Sequence, residues 1–241
     1  MGTVKDHYDS HLGHFYSWML GDFEVAKEHQ KKILLSQSLP PSGNKLAIDL
    51  GCGNGIQSVA LTELGFEVYA IDFNDILLDE LTARKNKLIH PMSGNLMEFD
   101  KLIPGKVELI VCMGDTLTHL EDEVEVAGLI NKCFKQLERN GRLVLSFRDL
   151  TTIPEGSGRF IPVKSDDKRI HTCFLEDVGT KVMVYDILHE KKDDQWIQKI
   201  SGYPKLKLSA DKLIELLERP GFKITFKDSI NRMTIITSSK I

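Results

Sequence analysis

The sequence lacks an excess of basic residues: 31 Lys and Arg stand against 35 Asp and Glu in 241 positions, for a net charge of -4. Phosphate backbones are bound mainly by clustered Lys and Arg, so a nucleic-acid partner is not expected. Long apolar runs are missing as well. Val107 to Met113 and Leu143 to Phe147 fall far short of the roughly 20 residues that cross a bilayer. No membrane association is expected, and no signal peptide or anchor is readable. Cysteine is scarce. Cys52, Cys112, Cys133 and Cys173 stand far apart and make no metal-ligand spacing, so no metal site is expected. They read as reduced thiols in a cytoplasmic protein. Repeats and low-complexity tracts are absent. A chain of this length can bury most of its apolar surface as a single α/β domain.

What is present falls into four stretches. Residues 1–39 carry Tyr8, Leu12, Phe15, Tyr16 and Met19, then Phe23, Ile33 and Leu34, at helical spacing with a break at Gly21-Asp22. That pattern predicts two amphipathic helices, ended by Pro40-Pro41. Residues 40–148 alternate strand and helix patterns. Leu46 to Leu50, Glu67 to Ile71, Val107 to Met113 and Leu143 to Phe147 read as strands, and a third strand near Leu88 to Met92 is weakened by Pro91. Ile56 to Leu64, Asp75 to Arg84 and Val124 to Leu137 read as helices, the last with Val124, Ala127, Ile130, Phe134 and Leu137 on one face and Asn140-Gly141 as its stop. Such alternation predicts a parallel sheet covered on both faces. Residues 149–206 change texture: Arg169 to Glu176, Lys181 to His189 and Gln195 to Ile200 alternate polar and apolar residues between turns, which predicts an antiparallel sheet. Residues 207–241 give a helix capped by Ser209, then strands Phe222 to Phe226 and Met233 to Thr237.

The first strand runs into Asp49-Leu50-Gly51-Cys52-Gly53-Asn54-Gly55 and then a helix. A glycine-rich turn of this kind lets backbone approach a ligand closely. Dinucleotide folds place their third glycine one residue later, where Ile56 stands here, so the spacing disfavours a nucleotide-dependent oxidoreductase. Seventeen residues after Gly55, Asp72 ends the second strand, where a carboxylate can accept hydrogen bonds from both ribose hydroxyls.

At these residues the chain resembles the class I S-adenosylmethionine-dependent methyltransferases, whose first motif is a D-x-G-x-G-x-G strand and turn. The resemblance covers residues 46–148 and extends to the final hairpin in topology. It implies a Rossmann-like, doubly wound, mostly parallel seven-stranded sheet whose final strand is antiparallel. An N-terminal helical cap and a small antiparallel insertion complete that fold, and S-adenosyl-L-methionine is the implied cofactor. By resemblance, Gly51 and Gly53 border the methionine part, Cys52 and Gly55 of the same turn are cofactor-binding, Asp49 positions the turn and the methionyl ammonium, and Asp72 holds the ribose. Phe73 lies near the adenine, Asn95 of Ser93-Gly94-Asn95-Leu96 reaches its amino group, and Met113 sits beside the methionine moiety. Within this class, Cys112-Met113-Gly114-Asp115-Thr116-Leu117-Thr118-His119-Leu120 is similar to a stretch of the glycine and sarcosine N-methyltransferases. Arg148 resembles the arginine that binds the substrate carboxylate there, and Tyr8 with Gly21-Asp22 resembles their N-terminal segment.

Methyl transfer from a sulfonium needs a nucleophile held in line, about 3 Å from the carbon, with water excluded. The expected substrate is a small molecule with an N- or O-nucleophile, enclosed by the N-terminal helices and the antiparallel segment. Arg148, Asp115 and His119 are the candidate acceptor-side groups. Asp115 stands where the subfamily has asparagine, and a carboxylate there would repel a glycine-type carboxylate and favour a cationic or hydroxyl-bearing substrate. Arg148 has a second reading as half of an ion pair with Asp115 or Asp149. His119 has one as a capping or packing residue, and Tyr16 and Trp18 as core. Tyr185, His189 and Tyr203 are candidates to face the pocket. A non-catalytic S-adenosylmethionine-binding sensor or subunit is the alternative function, and a homo-oligomer is compatible with the sequence.

Overall fold

Two sheets organise the protein, whose computed structural model describes residues 3–37, 39–103 and 105–241. The larger sheet uses β1 (Leu46–Leu50), β2 (Glu67–Asp72), β3 (Ile89–Ser93), β4 (Val107–Cys112), β5 (Leu137–Phe147), β10 (Phe222–Ile230) and β11 (Met233–Lys240). Their order is β10-β11-β5-β4-β1-β2-β3. β11 pairs antiparallel with β5 and β10, while β1, β2, β3, β4 and β5 pair in parallel. This is the doubly wound sheet expected, with its final strand reversed. Ile48, Leu50, Ile110 and Cys112 feed one apolar layer and Ala47, Leu109 and Val111 the other, the two-residue alternation of strands buried on both faces.

Helices α3 (Phe23–Ser36), α4 (Ile56–Glu63), α5 (Asp75–Thr82), α6 (Phe99–Leu102), α7 (Glu123–Gln136) and α8 (Ala210–Glu218) accompany this sheet. The Asp122 carboxylate starts α7 by accepting from the Val124 and Glu125 N–H groups, each at 2.9 Å. Its inward face is Val126, Leu129, Ile130 and Cys133, and Val124, expected inside, is 77% exposed. β5 begins directly at Leu137, so Asn140-Gly141 is not the helix stop. Asn140, at φ 65, lies in an irregularity where Val107 pairs with Leu137 but Leu109 pairs with Arg142. β3 forms despite Pro91, because it is the sheet edge and Pro91 turns its missing N–H away from β2.

The second sheet is β6 (Phe160–Ser165), β7 (Arg169–Asp177), β8 (Lys181–Lys192) and β9 (Gln195–Leu206), all antiparallel. Sequence patterning found three of its strands and missed β6. It also stopped β9 at Ile200, although the strand runs on through Pro204 at the sheet edge.

The first expected N-terminal helix is instead α1 (Val4–Ser10), a 3-10 turn at Leu12–His14 and α2 (Tyr16–Leu20). Tertiary contacts break it. His11 leaves helical geometry at φ -138 and ψ -78, and its Nε2 sits 3.1 Å from the backbone oxygen of Asp186 on β8. Leu12, Phe15 and Leu188 then form a small core between this segment and the second sheet.

Candidate functional site

The chain reverses its direction of travel across the sheet between β1 and β4, and ligands of such sheets bind at the carboxyl ends of the strands beside that point. After β1, the Gly51 and Cys52 N–H groups donate to the Ile71 carbonyl at 2.8 and 3.0 Å. The Gly53 N–H donates to Asp72 Oδ2 at 2.8 Å, and Asp72 Oδ1 accepts from the Asn74 N–H at 2.9 Å. Asp72 therefore fastens the glycine turn to the end of β2. An ionised carboxylate accepts about four hydrogen bonds, so two positions remain for ribose hydroxyls. Burial raises its pKa against those backbone bonds.

The glycines have separate reasons. A Cβ on Gly51, at φ +72, would stand 2.4 Å from Thr116 Cγ2. On Gly55, at φ +88, it would stand 2.2 Å from Leu81 Cδ1. The third glycine thus seats α4 against α5, and the first lets the loop after β4 close over the turn.

A groove runs along this turn, lined by Asp72, Phe73, Leu96, Tyr8, Tyr16 and Thr116. Gly51, Gly53 and His119 also border it. It opens into a cavity of about 750 Å3 between the two sheets, reached by Cys52, Met113, Asp115 and Arg148. Three expected cofactor residues stand apart. Gly55 serves helix packing. Asp49 lies buried beneath the turn, where burial raises its pKa to about 7 against the bond it accepts from Ser58 Oγ at 2.6 Å. Asn95 is exposed, and its carbonyl oxygen caps the following 3-10 turn by accepting from the Met97 N–H at 2.9 Å. Tyr16 was read as core, yet it covers the turn 3.4 Å from where a Gly53 Cβ would stand.

Loop geometry after β4 decides the acceptor side. Gly114 and Asp115 both have positive φ, 76 and 78, which turns the Asp115 side chain inward. It is 2% exposed. Oδ1 accepts from the Arg148 N–H at 2.9 Å and from Thr118 Oγ1 at 3.0 Å, and Oδ2 accepts from Arg148 Nη1 at 3.2 Å and from the Lys205 ammonium. Burial alone would raise the Asp115 pKa, but Lys205, Arg148 and the backbone bond outweigh it and hold it below the ordinary value. Arg148 stays 52% exposed at its side chain, while Lys205 is 9%. Lys205 and Tyr203 were missed or left open because they lie past the point where the β9 pattern was thought to end. Their spacing of two puts both on the inward face with Val184 and Asp186. Tyr185 points the other way and donates to Glu176 at 2.9 Å, and His189 pairs outside with Gln198.

His119 Nε2 lies 3.4 Å from the Tyr8 hydroxyl. Burial, aided by the Lys205 charge, lowers its pKa to about 3, so its ring is neutral near pH 7.

The methyltransferase-domain family matches residues 47–141, the segment that carries the glycine turn, Asp72 and the loop after β4. The fold is that of a class I S-adenosylmethionine-dependent methyltransferase. The chain is similar to glycine N-methyltransferase of Oryctolagus cuniculus, 26% identical over 202 residues, covering 76% of this chain and 66% of that protein. It is also similar to glycine/sarcosine N-methyltransferase of Aphanothece halophytica, 25% identical over 48% of this chain and 45% of that one. The chain thus spans just under two thirds or less of the length of these relatives. Among solved structures it resembles S-adenosylmethionine-bound CalS10, an amino pentose methyltransferase of Micromonospora echinaspora. The TM-score is 0.70 at 13% identity, covering 100% of this chain and 98% of that one. The groove's lining fits the methyltransferase cofactor in kind: the Asp72 carboxylate stands beside the glycine turn, and the apolar Phe73 and Leu96 line the same groove.

Proposed function

We propose that this protein transfers a methyl group from S-adenosylmethionine to a small, carboxylate-bearing, amino-acid-like acceptor held in the cavity between the two sheets. The observation that carries the reading is the half-exposed Arg148 guanidinium at that cavity, backed by a carboxylate that is already satisfied. Asp115 is not free to repel an acidic acceptor. Two cations share its charge, so the Arg148–Lys205–Asp115 group is formally one positive charge in excess, and Arg148 offers a planar fork to a carboxylate. Asp115 is a positioning residue that fixes Arg148 and Lys205. The glycine N-methyltransferase relatives support an acceptor of this chemistry with a nitrogen nucleophile.

In this mechanism the cofactor supplies an electrophilic methyl group. The chain's residues hold it, exclude water and align the acceptor. Asp72 orients the ribose end and the glycine turn the methionine end. Tyr8 and Tyr16 close the groove from the N-terminal segment. His119, neutral and flanked by Tyr8, offers a weak proton acceptor, so the acceptor nitrogen enters as the free amine with its own lone pair.

The deciding experiment incubates purified protein with methyl-labelled S-adenosylmethionine and paired acceptors of matched size, small amino acids and their uncharged amides. Label should pass to the acids and at least tenfold less to the amides. Equal transfer to both would remove the carboxylate reading. Cofactor binding with no transfer to any acceptor, including a metabolite extract, would replace the enzyme by a sensor.

A further inference from the structure

Away from the cofactor groove, the inward faces of β7 and β8 bring together His171, Cys173 and Asp186. Cys173 and Asp186 are direct cross-strand partners, and His171 precedes Cys173 by two residues on the same face. His171 and Asp186 are buried, and both Cys173 and Asp186 reach the acceptor cavity. One ligand atom of each residue lies within 4.8 Å of the others. His171 Nε2 is 2.8 Å from Asp186 Oδ1, Cys173 Sγ is 3.0 Å from the same oxygen, and Sγ and Nε2 are 3.8 Å apart.

We propose that these three side chains form a site for a zinc-class divalent ion whose fourth position faces the acceptor cavity. Three atoms at those separations share a centre about 1.9 Å from each, a few tenths of an ångström inside ordinary Zn–N, Zn–O and Zn–S distances. Imidazole, thiol and carboxylate together select a borderline-soft ion over magnesium or calcium. Three protein ligands beside a cavity make the open type of site rather than the closed structural type.

The carboxylate ligand has an outer shell, whereas His171 Nδ1 has no hydrogen-bond partner. The other Asp186 oxygen, Oδ2, lies 2.9 Å from His7 Nε2, and His7 Nδ1 lies 2.8 Å from Ser201 Oγ. Such a chain fixes the orientation of a ligating carboxylate. Charge balance favours loading. The thiol proton passes to solvent and His171 binds through Nε2, so that thiolate, carboxylate and a divalent ion sum to zero.

The test uses tag-free, full-length protein stripped with a chelator and titrated with zinc chloride alone against a chromophoric chelator, and separately with cobalt(II). The site requires about one equivalent of zinc at submicromolar affinity and a thiolate-to-cobalt absorption band in the near ultraviolet. Cys173→Ser, which keeps a hydroxyl to donate to Asp186, should abolish that band and weaken zinc binding at least 100-fold. His7→Gln should weaken it about 10- to 100-fold. Less than a tenth of an equivalent bound, or zinc bound equally well by Cys173→Ser, overturns the site and leaves a hydrogen-bonded carboxylate hub. Should His7→Gln fail to fold, the cobalt spectrum of Cys173→Ser still decides. None of these readouts involves S-adenosylmethionine or an acceptor, so they stand or fall apart from the methyl-transfer reading.

Discussion

Lys205→Met isolates the role assigned to Asp115. Lys205 is buried and its ammonium donates to Asp115 Oδ2, on a carboxylate that is 2% exposed. Removing one partner of a buried ion pair costs about 3 to 5 kcal/mol, chiefly because the other charge is left uncompensated. Here Arg148 at 3.2 Å, its N–H at 2.9 Å and the Thr118 hydroxyl at 3.0 Å remain. The expected loss is therefore about 2 to 3 kcal/mol, below that range because these partners remain. Met keeps most of the apolar stem, so little of that loss is packing. Urea unfolding at pH 7 should show a midpoint lower by about 1 M with an unchanged slope. Adding Asp115→Asn should restore more than half of the loss, because a neutral amide no longer needs the ammonium. Since the folded-state Asp115 pKa lies below its unfolded value, its stabilisation is present above the unfolded pKa near 4 and is lost as pH falls through the folded one. In Lys205→Met the acid limb of stability should move to higher pH. A single variant within about 0.5 kcal/mol of the parent, a size usual for surface changes, would refute the buried pair and with it the neutralised Asp115.

Three further outcomes are expected. Asp72→Ala should weaken S-adenosylmethionine binding by about 1 to 3 kcal/mol, the range for bonds to a charged group, read by calorimetry; it should also lower thermal stability, because the Gly53 and Asn74 N–H groups lose their acceptor. Arg148→Ala should lower kcat/KM at least tenfold for carboxylate acceptors with cofactor affinity within twofold, and should cost less stability than Lys205→Met, because the arginine side chain is half-exposed and its N–H still donates to Asp115. His119, with a folded pKa of about 3, binds fewer protons than its unfolded form between about pH 6.5 and 3. Stability should therefore fall as pH drops through that window and fall less in His119→Asn, while a kcat/KM profile from pH 6 to 9 keeps its shape in that variant.

The sequence by itself determined the architecture and the placing of the glycine turn and Asp72 at the ends of β1 and β2. Strands buried on both faces announce themselves as apolar runs, and the turn after β1 has to be glycine at Gly51 and Gly55 because Thr116 and Leu81 leave no room for a Cβ. Asp72 was legible because its distance from that turn is fixed by one helix and one strand. Local patterning also held for the reversed last strand and for three of the four strands of the smaller sheet.

Only the tertiary structure decided the acceptor end. Lys205 and Asp115 are 90 positions apart, and His7 and Asp186 are 179 apart. Neither pair has a spacing to read, since one forms where β9 meets the loop after β4 and the other where α1 meets β8. Arg148 shows the difference most clearly: both its readings were open in the sequence, and the positive φ of Gly114 and Asp115 is what brings the carboxylate beneath it. The same holds for the N-terminal segment, whose helical periodicity was real but whose helix is broken at His11 by a contact to β8. Periodicity reports the preference of a stretch taken alone. A contact made across 175 residues overrode it, because satisfying a buried carbonyl outweighs continuing one helix for another turn.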